Sequence, residues 1–106
     1  MALRKQNLGK AKKLAERLVK KNPNDATYLD TYGWVLYVAK DYKNARKYLE
    51  KSLAKSPEGT TYEHYGDVLF KLGDTAKAIE QWQKAKKLGG TSDLIDKKIA
   101  DKKLYE

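Results

Sequence analysis

Cysteine is absent from the 106 residues. That excludes a disulfide framework, a thiolate metal site and a thiol nucleophile together. Proline occurs only at Pro23 and Pro57, and histidine and phenylalanine once each, as His64 and Phe70. No apolar run approaches the roughly 20 residues that a membrane-spanning helix needs. The opening Met1-Ala2-Leu3-Arg4-Lys5 lacks the apolar core of a signal peptide. No glycine-rich phosphate loop occurs either, because Gly89-Gly90 is not followed by the Lys-Ser/Thr pair such a loop uses. The single His64 has no cysteine partner. Its neighbour Glu63 points elsewhere on a helix, and Asp67, three residues on, makes ordinary helix-surface pairing. These absences remove the usual catalytic and metal chemistries. The expectation is a protein that is not an enzyme and holds no cofactor.

What is present favours helix. Ala, Leu and Lys are abundant, 41% of residues are hydrophobic and 35% charged. The net charge of +9 is uneven. Residues 1–24 carry Arg4, Lys5, Lys10, Lys12, Lys13, Arg17, Lys20 and Lys21 against Glu16 alone, a balance of +7, and the rest carries +2. Such a segment attracts anionic surfaces at long range. No aromatic residue interleaves those lysines, as a base-stacking surface would require. A solvated lysine face is the favoured reading, and nucleic acid is disfavoured as a partner.

The main signal is an internal repeat. Leu29, Tyr32, Gly33 and Leu36 match Tyr62, Tyr65, Gly66 and Leu69 at an offset of 33, and Ala45, Leu49 and Ser52 match Ala78, Trp82 and Ala85 at the same offset. Lys40-Asp41 aligns with Gly73-Asp74, which suits a tight turn in both copies. A partial copy precedes them: Ala11, Ala15 and Leu18 match Ala45, Leu49 and Ser52 at an offset of 34. Three- and four-residue apolar steps put each set on one helical face. The glycines lie on that face, where their cost of about 1 kcal/mol against alanine is justified by a close helix approach. Asp25 and Thr60 or Thr61 are the expected N-caps, and Gly89-Gly90 the stop of a fifth helix. Ser92 or Asp93 would cap a sixth, with Leu94, Ile95, Ile99 and Leu104 on a narrow apolar stripe and Asp96, Lys97, Lys98 and Lys102 outside. The expected layout is residues 2–22 as the second helix of a partial repeat, 25–56 and 59–88 as full repeats, and 92–104 as a capping helix.

The pattern large-x-x-Tyr-Gly-x-x-Leu, then Ala-x-x-x-large, then Pro, resembles the tetratricopeptide repeat over about residues 6–90. Asp30-Thr31-Tyr32-Gly33-Trp34 and Glu63-His64-Tyr65-Gly66-Asp67 look most like the closing repeats of bacterial members. The resemblance implies an all-α solenoid of antiparallel helix pairs, about six helices in all. It also implies a concave groove lined by the first helix of each pair. Residues there that the repeat core does not use are Thr27, Asp30, Thr31, Trp34, Tyr37 and Val38 in one copy, and Glu63, His64, Asp67, Phe70 and Lys71 in the next. Aromatics ringed by acids would suit a protein or peptide ligand with basic and hydrophobic residues. Tyr32, Tyr62, Tyr65 and Trp82 are expected in the core, while Trp34 and Tyr37 are balanced between core and ligand contact. Chaperone-binding members use Lys and Asn to hold a carboxylate tail. Here Asp30 stands where the lysine is expected, and Trp34 and His64 where asparagines are expected, so that ligand is disfavoured.

The expected function is therefore a monomeric or weakly dimeric interaction scaffold. One alternative is a structural cap or self-association segment of a longer repeat array, using an uncovered face of Leu3, Leu14, Leu18 and Val19. A lesser one is electrostatic binding through Lys12, Lys13, Arg17, Lys20 and Lys21.

Overall fold

Spacing and turn chemistry together set the helix order in the computed structural model, which describes residues 5–104. Leu3 of the first-helix apolar face lies outside the described residues. The elements are α1 (Lys5–Lys21), α2 (Ala26–Val38), α3 (Tyr42–Lys55), α4 (Gly59–Lys71), α5 (Thr75–Leu88) and α6 (Ile95–Asp101), and no strand occurs among the described residues. The fold is an all-α helical repeat. The chain divides at Lys55/Ser56 into two compact units.

In the first unit α1 packs on α2, and α2 pairs with α3. Asp25 caps α2, accepting hydrogen bonds from the Thr27 and Tyr28 backbone N–H groups at 2.9 and 3.2 Å. A cap of that kind is worth about 1 kcal/mol. The helix ends in a left-handed turn at Lys40 (φ 66°), where the Asp41 N–H reaches back to the Leu36 carbonyl at 2.9 Å. Asp41 then opens α3 by accepting from the Asn44 side chain at 2.8 Å. Leu29, Leu36, Ala45 and Leu49 are at most 1% exposed. Each buried leucine contributes about 1.5–3 kcal/mol. Gly33 is required by this packing: a Cβ there would meet Leu49 Cγ at 2.8 Å. Buried Ser52 donates to the Ala26 carbonyl at 2.7 Å and ties the end of α3 to the start of α2.

The second unit repeats the scheme. α4 pairs with α5, and α5 carries α6. Gly73 (φ 92°) occupies the place of Lys40, and the Asp74 N–H reaches the Leu69 carbonyl at 2.9 Å. Trp82 takes the place of Leu49, is fully buried, and lies with Leu69, Ala78, Ala85 and Ile95 in a core flanked by Tyr62, Tyr65, Phe70, Ile79, Ile99 and Leu104.

Three local expectations need correction. Neither Thr60 nor Thr61 caps α4. The helix begins two or three residues earlier behind Glu58, which makes no side-chain cap bond, and the Thr60 hydroxyl donates instead to the Gly90 carbonyl at 2.6 Å. The sixth helix covers only Ile95–Asp101, with Leu94 at its N-cap position. Ser92 donates to Glu63, and its hydroxyl accepts the Leu94 N–H at 3.3 Å, just ahead of the helix. Lys98, expected on the solvated side of this helix, is 4% exposed.

Candidate functional site

α2 places its expected ligand-facing residues in different environments. Thr27 and Thr31 are exposed, and the Thr31 hydroxyl donates to the Thr27 carbonyl at 2.9 Å. Asp30, Trp34 and Val38 are half-buried. Tyr37 is only 7% exposed, which resolves its balance toward the core. Its ring stacks on Trp34, with centroids 4.8 Å apart and planes at 17°, and tilts against Tyr42 at 5.7 Å. Stacking of this kind adds about 0.5–1.5 kcal/mol beyond area burial and fixes the indole in one orientation. The chemistry of this face is a held, partly accessible aromatic beside a carboxylate.

The equivalent positions of α4 are organised otherwise. Glu63 and Asp67 were expected on an open surface, yet both are 4% exposed. The Lys98 ammonium of α6 donates to Glu63 Oε2 at 2.8 Å and to Asp67 Oδ1 and Oδ2 at 3.0 and 3.2 Å. Trp82 Nε1–H donates to Asp67 Oδ1 at 3.0 Å. The Ser92 backbone N–H donates to Glu63 Oε1 at 2.7 Å, and its hydroxyl donates to Oε2. Two buried carboxylates thus share one ammonium. Burial pushes the Asp67 carboxyl up to about 6, against the pull of Lys98 and the Trp82 bond. For Glu63, burial also acts upward, but the hydrogen bonds from Lys98 and Ser92 outweigh it and hold the group below its ordinary range.

The other α4 residues remain nearer the surface. Phe70 is half-buried and stacks on Trp82 with centroids 6.0 Å apart, His64 is half-buried, and Lys71 is exposed. Of the expected core aromatics, Tyr32 and Trp82 are buried, and Tyr62 and Tyr65 are half-buried against the second unit's core. On α1, Leu14 is 55% exposed, Leu18 is half-buried and Val19 is buried. No group of three or more His, Cys, Asp or Glu among the described residues is arranged to hold a metal ion. No helix among them is long and apolar enough to cross a membrane.

The sequence placed Ser92 at a helix cap and Lys98 on a solvated face, and did not reveal either as a partner of Glu63 and Asp67. A signal was present in Trp82, which replaces the leucine of the preceding copy. A buried indole needs an acceptor for its N–H, and Asp67 stands where that copy has Trp34.

Comparison with known proteins places residues 4–85 against the family described as anaphase-promoting complex, cyclosome, subunit 3. The TPR repeat-containing protein MJ1428 of Methanocaldococcus jannaschii is 41% identical over 51 residues, covering 48% of this chain and 9% of that protein. The TPR repeat-containing protein PA4667 of Pseudomonas aeruginosa is 31% identical over 67 residues, covering 63% of this chain and 11% of its own length. The chain thus spans about a tenth of the length of these curated relatives.

Proposed function

Because this chain belongs to the tetratricopeptide repeat family, we propose that it is a protein-interaction scaffold that takes a peptide segment of a partner on the first helix of a repeat. The observation that carries the reading is Trp34, half-buried and held by its stack on Tyr37, with Asp30 one helical turn away. Tryptophan is among the residues where binding energy concentrates, and a pre-oriented ring loses little entropy when a ligand packs on it. Thr27, Thr31 and Val38 extend this face on α2, and His64, Phe70 and Lys71 are the corresponding offering of α4. Glu63 and Asp67 enter differently, since Lys98 already engages them. The ligand this suits has an apolar anchor for Trp34 and a cation for Asp30. The reading gives the chain no catalytic step.

The test is affinity capture from a lysate of the source organism, wild type against Trp34→Ala and Asp30→Ala. Neither substitution touches the Leu29, Leu36 and Leu49 packing, so helicity should be retained. A captured protein should be lost with Trp34→Ala, with affinity falling by at least about tenfold once measured on the purified partner. Equal capture by a folded Trp34→Ala chain would sink the proposal.

A further inference from the structure

α6 is a weakly self-supporting element. It has seven residues and no side-chain cap, and a helix of that length does not persist without packing. It follows Gly89 and Gly90, both at positive φ, on an exposed connection. Its hold on the second unit comes from buried Ile95, half-buried Ile99 and Lys98, with an exposed Lys86–Asp96 ion pair beside them. Exposed pairs of that sort contribute little.

The seat beneath α6 is the more specific half of this contact. Glu63 and Asp67 come from successive turns of α4, Trp82 Nε1–H fixes Asp67, and the Lys98 ammonium lies 5.9 Å from the Trp82 ring centroid. An acceptor cage of two carboxylates over an indole is chemically a receptor for a primary ammonium. Covered by a helix that brought no cation, it would hold two buried like charges, which is strongly unfavourable. A helix that replaces α6 must therefore bring an ammonium of its own. An apolar helix without a lysine does not substitute for it.

We propose that this seat is a docking site for a lysine-bearing helix of a partner protein, occupied here in cis by α6 and opened by exchange. The fitting segment carries the α6 pattern: an apolar residue, a lysine three positions on, and an apolar residue next, as in Ile95, Lys98 and Ile99. The carboxylates select the lysine, and the Ile95 and Ile99 sites select its neighbours. The proposal rests on the scaffold reading but uses a different surface from Trp34. Exchange could fail while Trp34-dependent capture stands, and the reverse.

The probe is a fluorescein-labelled peptide of the Thr91–Leu104 sequence, titrated into the full chain and followed by anisotropy. In the wild type the tethered α6 competes at an effective concentration on the order of millimolar, so uptake is weak. The Lys98→Ala chain cannot fill its own seat and should bind the peptide at least tenfold more tightly than wild type. The same peptide carrying Lys98→Ala should lose that gain. Equal affinity of both chains, or of both peptides for the Lys98→Ala chain, overturns the proposal. Should Lys98→Ala unfold the second unit, Ile99→Ala leaves the ammonium in place and loosens α6. Tighter peptide uptake than wild type then supports exchange, and unchanged uptake overturns it. Sedimentation of the wild type covers a second occupant. A concentration-dependent dimer that the peptide dissolves would assign the seat to the α6 of another copy and overturn the partner-helix assignment.

Discussion

Asp67 and Glu63 share one ammonium but are pushed in opposite directions, and this gives the second unit a distinctive response to acid. Asp67 titrates at about 6 in the folded state against an ordinary 3.8, so the folded state holds its proton more tightly. Lowering the pH from 7 toward 4.5 is therefore stabilising through this group, by about 2 kcal/mol at most. Glu63 lies below its ordinary 4.5, so its contribution is present above that value and is lost as the pH falls further. Thermal unfolding followed by circular dichroism should show a midpoint that rises from pH 7 to about pH 5 and falls below about pH 4. Asp67→Asn should flatten the upper limb and leave the lower one. A wild-type midpoint that only falls between pH 7 and 5 would contradict the burial of Asp67. The sequence displayed both acids at the same repeat positions as Asp30 and Trp34, but not their fate. That depended on Lys98, 31 residues beyond Asp67, turning inward from a helix whose charge pattern reads as solvated.

At the scale of the element, the two repeats solve one turn in two ways, and the difference is measurable. Lys40 and Gly73 both adopt positive φ. A lysine there bears the left-handed penalty that glycine escapes. Lys40→Gly should stabilise the first unit by about 1 kcal/mol, read from urea unfolding. Gly66→Ala should do the opposite, since its Cβ would come within 2.5 Å of the Trp82 indole and 3.0 Å of the Ala78 carbonyl. The expected loss is about 1–3 kcal/mol. A neutral Gly66→Ala would mean that α4 and α5 are less closely packed than described. Helix order, these turns and the glycine contacts were legible because apolar spacing, turn residues and repeat offset agreed. The start of α4 and the extent of α6 were not. Thr60 and Ser92 are both good capping residues on local grounds, and both were recruited by groups some 30 residues away, the Gly90 carbonyl and the Glu63 carboxylate.

For the whole molecule, charge distribution is the feature that composition alone made plain. A balance of +7 falls in residues 1–24 of a chain carrying +9. On α1 the Lys13–Arg17 and Arg17–Lys21 neighbours repel at helical spacing, and Lys20–Glu16, at 3.7 Å, is an exposed counterweight of small effect. Raising salt from about 10 to about 150 mM shortens the screening length from roughly 30 to about 8 Å. The thermal midpoint should then rise, by about 2–4 °C. A fall would mean that attractive pairs dominate the folded state.

The Leu49-to-Trp82 replacement has a consequence for how such a chain can change. Asp67 accepts the Trp82 indole N–H, and the preceding copy carries Trp34 at the position of Asp67 and Leu49 at that of Trp82. At this pair of positions the two copies differ together. Recombination that transplanted a lone helix from one repeat to the other would leave an indole without its acceptor. The unit that can be exchanged without stranding this indole is the helix pair, with Trp82 moving only together with Asp67.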